Sequence, residues 1–215
     1  MYVNRGIPSS LSKKFDNVFK RNLFQGQSSK SGIGSSAEQT HEIARLIPDL
    51  IFNLNIKTIL DLPCGDLEWM SNVNLGDTKY VGADVAPALI LELQARFPDR
   101  NFQRINVVKD NIPKVDLIFC RDLFVHLSNR SITSSIKNIK ASGSLYLATT
   151  TFSNRLKNQD LPFLSRGVAW RTINLERSPF NFSPPEHLIN EKCTESNGAY
   201  SDKSIGIWKI NDLPN

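Results

Sequence analysis

Cysteine is scarce in this chain of 215 residues, with Cys64, Cys120 and Cys193 the three present. They have neither the density of a disulfide framework nor the paired spacing of a metal site. Long apolar runs are missing too. Val115–Cys120 contains Asp116 and falls far short of the roughly 20 residues of a membrane span. The first residues, Met1 to Pro8, lack the apolar stretch of a secretory leader. A soluble, cytoplasmic protein without a membrane partner is expected. Nor does one sign of charge dominate. Lys and Arg number 26 against 21 Asp and Glu, a net charge of +5, and the basic residues are not clustered. That balance permits an acidic or nucleic-acid partner without requiring one.

What is present is an alternation of patterns, in a length that suits one domain with an appended segment. Leu11–Phe24 is a short basic amphipathic stretch, and Gln25–Ser36 is rich in Gly and Ser and reads as loop. Ile43, Leu46, Ile47, Leu50, Ile51 and Leu54 share one helix face, with Pro48 expected to kink or split that helix. Strands are predicted at Thr58–Leu62, Tyr80–Asp84, Phe102–Val107, Asp116–Cys120, Leu145–Thr149 and Ile205–Ile210. Pro87 suits the first turn of a helix carrying Ile90, Leu93 and Phe97 inward. Ser128 or Asn129 can start another, with Ile132, Ile136 and Ile139 on one face and Gly143 at its end. Strands alternating with helices predict an α/β fold: a Rossmann-like, doubly wound, mostly parallel sheet with an N-terminal helical and loop extension. The extension and a lid loop take residues 1–36, and a cofactor-binding domain takes 37–215. Ligands of such sheets sit beyond the carboxyl ends of the strands.

The loop after the first strand, Asp61-Leu62-Pro63-Cys64-Gly65-Asp66-Leu67-Glu68-Trp69-Met70, keeps only Gly65 of a dinucleotide-type Gly-x-Gly-x-x-Gly. Asp61, Asp66 and Glu68 stand where phosphates would lie, and that is the wrong sign. S-adenosylmethionine carries an ammonium and a sulfonium and no phosphate, so an acidic turn suits it. Asp84 ends the second strand 23 residues beyond Asp61, close to the ~20 expected of an acidic residue that accepts the ribose hydroxyls. An Asp there can also serve as a helix N-cap.

The Asp61–Met70 segment resembles the first motif of class I S-adenosylmethionine-dependent methyltransferases, with Pro-Cys-Gly in its middle. Tyr80-Val-Gly-Ala-Asp84 resembles the second motif, and Asp116–Leu127 the segment that ends the fourth strand. A bacterial and phage-type subgroup is similar over nearly the whole chain from about Phe15. It shares the Ser-Gly-x-Gly-Ser loop (Ser31–Ser35), the Thr-Thr-Thr-Phe strand end (Thr149–Phe152) and Trp-Arg-x-x-Asn-Leu (Trp170–Leu175). It also shares Pro-Phe-x-Phe-x-x-Pro (Pro179–Pro185) and Tyr-x-Asp-Lys-Ser-x-Gly-x-Trp (Tyr200–Trp208). The resemblance implies that Asp61, Leu62, Pro63, Cys64, Gly65, Asp66, Trp69, Asp84, Val85, Asn106, Val107 and Arg121 contact the cofactor. Asn106 stands where an Asp commonly accepts from the adenine amino group; its amide oxygen can do the same, and Asp110 is a rival. The implied acceptor is a hydroxyl of a small molecule or glycan. A nucleoside or RNA acceptor and a cofactor-binding protein without turnover are the alternatives. The Asn/Asp-Pro-Pro-aromatic of exocyclic-amine methyltransferases is absent, since Cys-Arg-Asp-Leu follows the fourth strand.

The acceptor is expected at the end of the fourth strand, where Arg121, Asp122 and His126 lie. One helical turn between Asp122 and His126 makes a carboxylate-oriented general base conceivable; His126 as a cap or packing residue is the competing reading. Arg121 suits an anionic acceptor group, or simply a pair with Asp122. Trp69 is expected in a helix after the glycine turn, walling the cofactor, with Met70 in the core. Ser31–Ser36 is either a lid over the cofactor carboxylate or a solvated linker. Arg171, Asn174 and Phe180 are the candidate acceptor wall. Cys64 and Cys120 read as buried small hydrophobes. Asp122 has no second carboxylate nearby in a ligand-like pattern, so no metal is expected.

Overall fold

The computed structural model describes residues 11–161 and 169–214, so the first ten residues of the expected extension lie outside the described part. Helices α1 (Leu11–Lys20), α2 (Ala37–Asn53), α3 (Pro87–Arg96) and α4 (Asn129–Ala141) accompany seven strands. These are β1 (Thr58–Asp61), β2 (Lys79–Asp84), β3 (Asn101–Arg104), β4 (Leu117–Cys120), β5 (Tyr146–Phe152), β6 (His187–Asn190) and β7 (Lys203–Lys209). They form one sheet in the order β3-β2-β1-β4-β5-β7-β6. The pairings among β1 to β5 are parallel, while β7 runs antiparallel to both β5 and β6. The chain builds outward from β1 to β3, then returns to place β4 on the other side of β1. That reversal opens a crevice at the carboxyl ends of β1 and β4.

Side chains of a strand alternate between faces, and both faces here are apolar. Leu60, Ile118 and Leu147 pack with Ile132, Ile136 and Ile139 of α4 and with Trp208 on one side. Ile59, Leu117 and Phe119 pack with Ile43, Ile47 and Leu50 of α2 and with Leu89 and Leu93 of α3 on the other. A short, doubly covered strand such as Leu-Ile-Phe-Cys therefore reads as an unbroken apolar run. No helix among the described residues is long and apolar enough to cross a membrane.

Several expectations need correction. Pro48 neither splits nor ends its helix, which continues from Ala37 to Asn53; Ile43, Ile47 and Leu50 are buried on both sides of it, and that packing outweighs one lost backbone bond. No regular helix follows β1. The crossover is made of turns, with a single tight helical turn at Met70–Asn72, so Trp69 lies ahead of that turn. β3 ends at Arg104 rather than at Val107, while β5 runs on to Phe152. β6 was not expected at all; it is an edge strand with no buried residue.

Candidate active site

The loop that leaves β1 is pinned at both sides of the crevice. Leu62 N donates to Phe119 O on β4, and Cys64 N donates to Ala83 O on β2, each at 2.8 Å. Gly65 then takes a left-handed conformation (φ +53°), and a Cβ on it would stand 2.4 Å from Ser31 Oγ. Only glycine meets both demands. Asp61 and Asp84 end neighbouring strands and are both buried. Tyr80 donates its hydroxyl to Asp61 Oδ2 at 2.6 Å, and Ala86 N donates to Asp84 Oδ1 at 2.9 Å. Burial is the main cause that pushes these carboxyls up, Asp61 to about 7 and Asp84 to about 6, and their donors offset only part of it. Helix α3 starts one residue after Ala86, so Asp84 is not its cap. Burial likewise raises the thiols of Cys64 and Cys120, the latter to about 12, which leaves both inert.

Asp66 faces elsewhere. Its carboxylate accepts from Ser29 Oγ (2.8 Å), Lys30 N (2.7 Å) and Ser31 Oγ (3.1 Å), while its own N–H donates to Ser31 Oγ at 3.1 Å. The Ser/Gly loop is thus tied down onto the glycine turn. Helix α1 adds two further ties, Ser12 Oγ to Val85 O at 3.0 Å and Ala88 N to Asp16 Oδ1 at 3.0 Å.

Beyond β4 stands a charged cluster. Arg121 Nε and Nη2 donate to Glu191 Oε2 at 2.9 and 2.6 Å, and Nη2 also donates to Gly34 O at 2.9 Å. Lys203 Nζ donates to Asp122 Oδ2 at 2.6 Å, and Thr150 Oγ1 to Asp122 Oδ1 at 3.2 Å. Burial alone would raise the Asp122 carboxyl, but Lys203 and Arg121 outweigh it and hold the group at about 2. Arg121 is therefore a clamp between the β6 end and the Ser/Gly loop. The expected Asp122–His126 pair is not formed, because the chain makes one tight turn at Phe124–His126 instead of an α-helical one. His126 Nδ1 donates instead to Ala169 O at 2.8 Å. Burial lowers its pKa, so at neutral pH Nε2 is the nitrogen that carries a lone pair.

These parts enclose a cavity of about 510 Å³, within the usual range for ligand sites. Of the expected cofactor contacts, Asp61, Pro63, Cys64, Gly65, Asp66, Trp69, Asp84, Val85 and Arg121 line it, as do Asp122 and His126. Leu62, Asn106 and Val107 do not. Leu62 and Val107 are buried in the core. Asn106 Oδ1 accepts from Val108 N at 3.0 Å, and its backbone N–H donates to Asp110 Oδ2 at 2.8 Å, so both side chains close their own turn. The residues of the candidate acceptor wall do not line the cavity either. Arg171 binds Leu127 O and Asn129 Oδ1, Asn174 binds Ser153 O and Arg155 O, and Phe180 is buried in the core. All three hold the segment after β5 in place, outside the cavity. The residues that sequence reasoning passed over are Phe15, Phe24, Trp170, Tyr200 and Lys203, which do line it. Trp170, Tyr200 and Lys203 begin or belong to motifs quoted above; nothing marked the two phenylalanines beyond the amphipathic pattern of Leu11–Phe24.

No family model matches the sequence, and no curated protein matches it. Solved structures match it in shape. The methyltransferase domain of bacterial CtHen1-CN superposes on 80% of this chain and 99% of its own, with a TM-score of 0.56 and 11% identity. Magnesium protoporphyrin IX methyltransferase (ChlM) from Synechocystis PCC 6803, with bound SAH, superposes on 67% of this chain and 70% of its own, with a TM-score of 0.50 and 17% identity. The CtHen1-C methyltransferase domain matches 53% of this chain and 66% of its own, just under two thirds, at a TM-score of 0.47 and 13% identity. Shape is what is shared at such identities. The fold is the Rossmann-like α/β fold of class I S-adenosylmethionine-dependent methyltransferases.

Proposed function

We propose that the protein is an S-adenosylmethionine-dependent methyltransferase that acts in the cytoplasm on a hydroxyl of a small molecule or glycan. The observation that carries this reading is the pair of buried carboxyls, Asp61 and Asp84, on adjacent strand ends beside the Gly65 turn. Their raised pKa values mark negative charge that the protein's own donors undercompensate. A cationic, phosphate-free guest with a ribose diol relieves that; a pyrophosphate does not. Asp84 would hold the ribose hydroxyls, and Asp61, Pro63, Gly65, Trp69 and Val85 the rest of the cofactor. S-adenosylmethionine supplies a methyl group already activated by its sulfonium. The protein has to orient the acceptor, exclude water and take up a proton.

The Ser29–Ser36 segment, held by Asp66 and Arg121, excludes water. His126 Nε2 is the proton acceptor in this reading, its ring fixed by Ala169. Asp122, held ionised by Lys203 and Arg121, is too weak a base for that role and instead receives the acceptor hydroxyl as a hydrogen-bond partner. Calorimetry tests the cofactor assignment. S-adenosylhomocysteine should bind the purified protein, and Asp84→Ala should weaken binding at least about tenfold, ~1.4 kcal/mol. Unaltered affinity in that variant rules out the ribose role. Binding without methyl transfer to any hydroxyl acceptor would favour a cofactor-binding protein without turnover.

A further inference from the structure

Two groups of rings line the cavity around His126 and the end of β5. On one side Phe15 and Phe24 flank His126, with ring centroids 6.1 and 5.0 Å from the imidazole. On the other, Trp170 meets Tyr200 edge-on at 4.9 Å and rests on Phe152, the last residue of β5, at 5.9 Å. The groups are fixed beside each other, because Ala169 O accepts from His126 Nδ1 and Arg171 N donates to Val125 O at 3.1 Å. The lining reaches from the end of β2 to residues against β5 and β7. Four strand spacings of ~4.8 Å separate those strand ends, roughly 19 Å across the sheet.

We propose that the ring-lined part of the cavity beside His126 receives an uncharged, flat, largely apolar acceptor with one nucleophilic hydroxyl, of the phenol or naphthol kind. The inference rests on the methyl-transfer reading and narrows its acceptor. Three observations support it. First, Trp170 is 38% exposed and is a large apolar side chain left open in a concavity, which favours a guest that covers ring faces. Second, the two cations in contact with Asp122 are already paired, Arg121 with Glu191 and Lys203 with Asp122 itself, while Glu195 also lines the cavity. An anionic group placed beside them would face the ionised Asp122. Third, the polar groups among the rings suit an O–H donor, since the His126 lone pair and the Asp122 carboxylate both accept. A sugar brings several hydroxyls, each of which costs binding free energy if it is desolvated and left unpaired. An arene with one hydroxyl brings one.

Equilibrium binding with three probes tests this: 2-naphthol, 2-naphthyl phosphate and methyl glucoside, each with and without saturating S-adenosylhomocysteine. We expect 2-naphthol to bind the wild type at least about tenfold more tightly than either other probe. Phe24→Ala and Trp170→Ala should each weaken 2-naphthol by about tenfold while S-adenosylhomocysteine affinity stays within about threefold. Naphthyl phosphate or methyl glucoside binding as tightly as naphthol would overturn the acceptor class, and this comparison needs no variant to fold. Naphthol binding indifferent to both ring variants would overturn it too. If S-adenosylhomocysteine binds but naphthol does not, the acceptor class fails alone. If naphthol binds but S-adenosylhomocysteine does not, the methyl-transfer reading fails instead.

Discussion

A carboxylate's role here depends on which donors reach it. Asp61, Asp66, Asp84 and Asp122 all line one cavity, yet they do four different things. Asp61 takes a tyrosine hydroxyl, Asp84 a backbone N–H, Asp66 the serines of the Ser/Gly loop, and Asp122 a lysine. The sequence marks each as acidic and near a strand end, and the Asp61 and Asp84 positions follow from motif spacing. The partners of Asp66 and Asp122 come from residues 29–31 and 203, too far along the chain for any local pattern to pair them. A test at this scale is Asp66→Ala. Three hydrogen bonds to the lid are lost and the core is untouched, so the lid should open. We expect S-adenosylhomocysteine to dissociate at least about tenfold faster, read by stopped-flow displacement, with thermal stability lowered by only ~1–2 kcal/mol. Unchanged dissociation would show that the segment does not close the site.

The elements were legible where one principle acted alone. Helix α4 follows its pattern closely. Ser128 caps it through a bond from Ser131 N at 3.2 Å, Ile132, Ile136 and Ile139 are buried, and Gly143 turns left-handed (φ +66°) just past its end. Ser128→Ala should therefore cost ~1 kcal/mol in a urea melt, with the cofactor-product affinity unchanged; a loss below a few tenths would mean the cap bond adds nothing. Where two principles competed, the pattern misled. Pro48 signals a break, but burial of its neighbours keeps α2 whole. The segment after β1 suggested a helix, but it has to meet Phe119 on β4 and Ala83 on β2 at once and makes turns instead. β6 has no buried residue to alternate with exposed ones, so it left no period-two signal.

For the whole molecule, opposing carboxyl shifts give a pH dependence whose sign can be worked out. Asp61 and Asp84 have folded pKa values of about 7 and about 6, above their ordinary 3.8. The stability they contribute is complete below that ordinary value and is lost as pH rises through the folded values. Asp122, held at about 2, acts oppositely, and its contribution is lost only as pH falls through that value. The ligand-free protein should thus melt several degrees lower near pH 7.5 than near pH 5, roughly the loss expected for groups of this kind. Asp61→Asn should flatten the slope, since the amide keeps an acceptor for Tyr80 without a charge to bury; a slope equal to wild type would exclude Asp61 as its source. The sequence by itself determined the strand–helix alternation, the apolar runs that demand a doubly covered sheet, and the acidic glycine turn, because each is carried by neighbours within one element. Only the tertiary structure decided the order that sets β4 beside β1, the pairing of Asp122 with Lys203, the burial of Asn174 and Phe180, and the rings that line the cavity. Those features join residues far apart along the chain, and such contacts exist only once the sheet has brought the strand ends together.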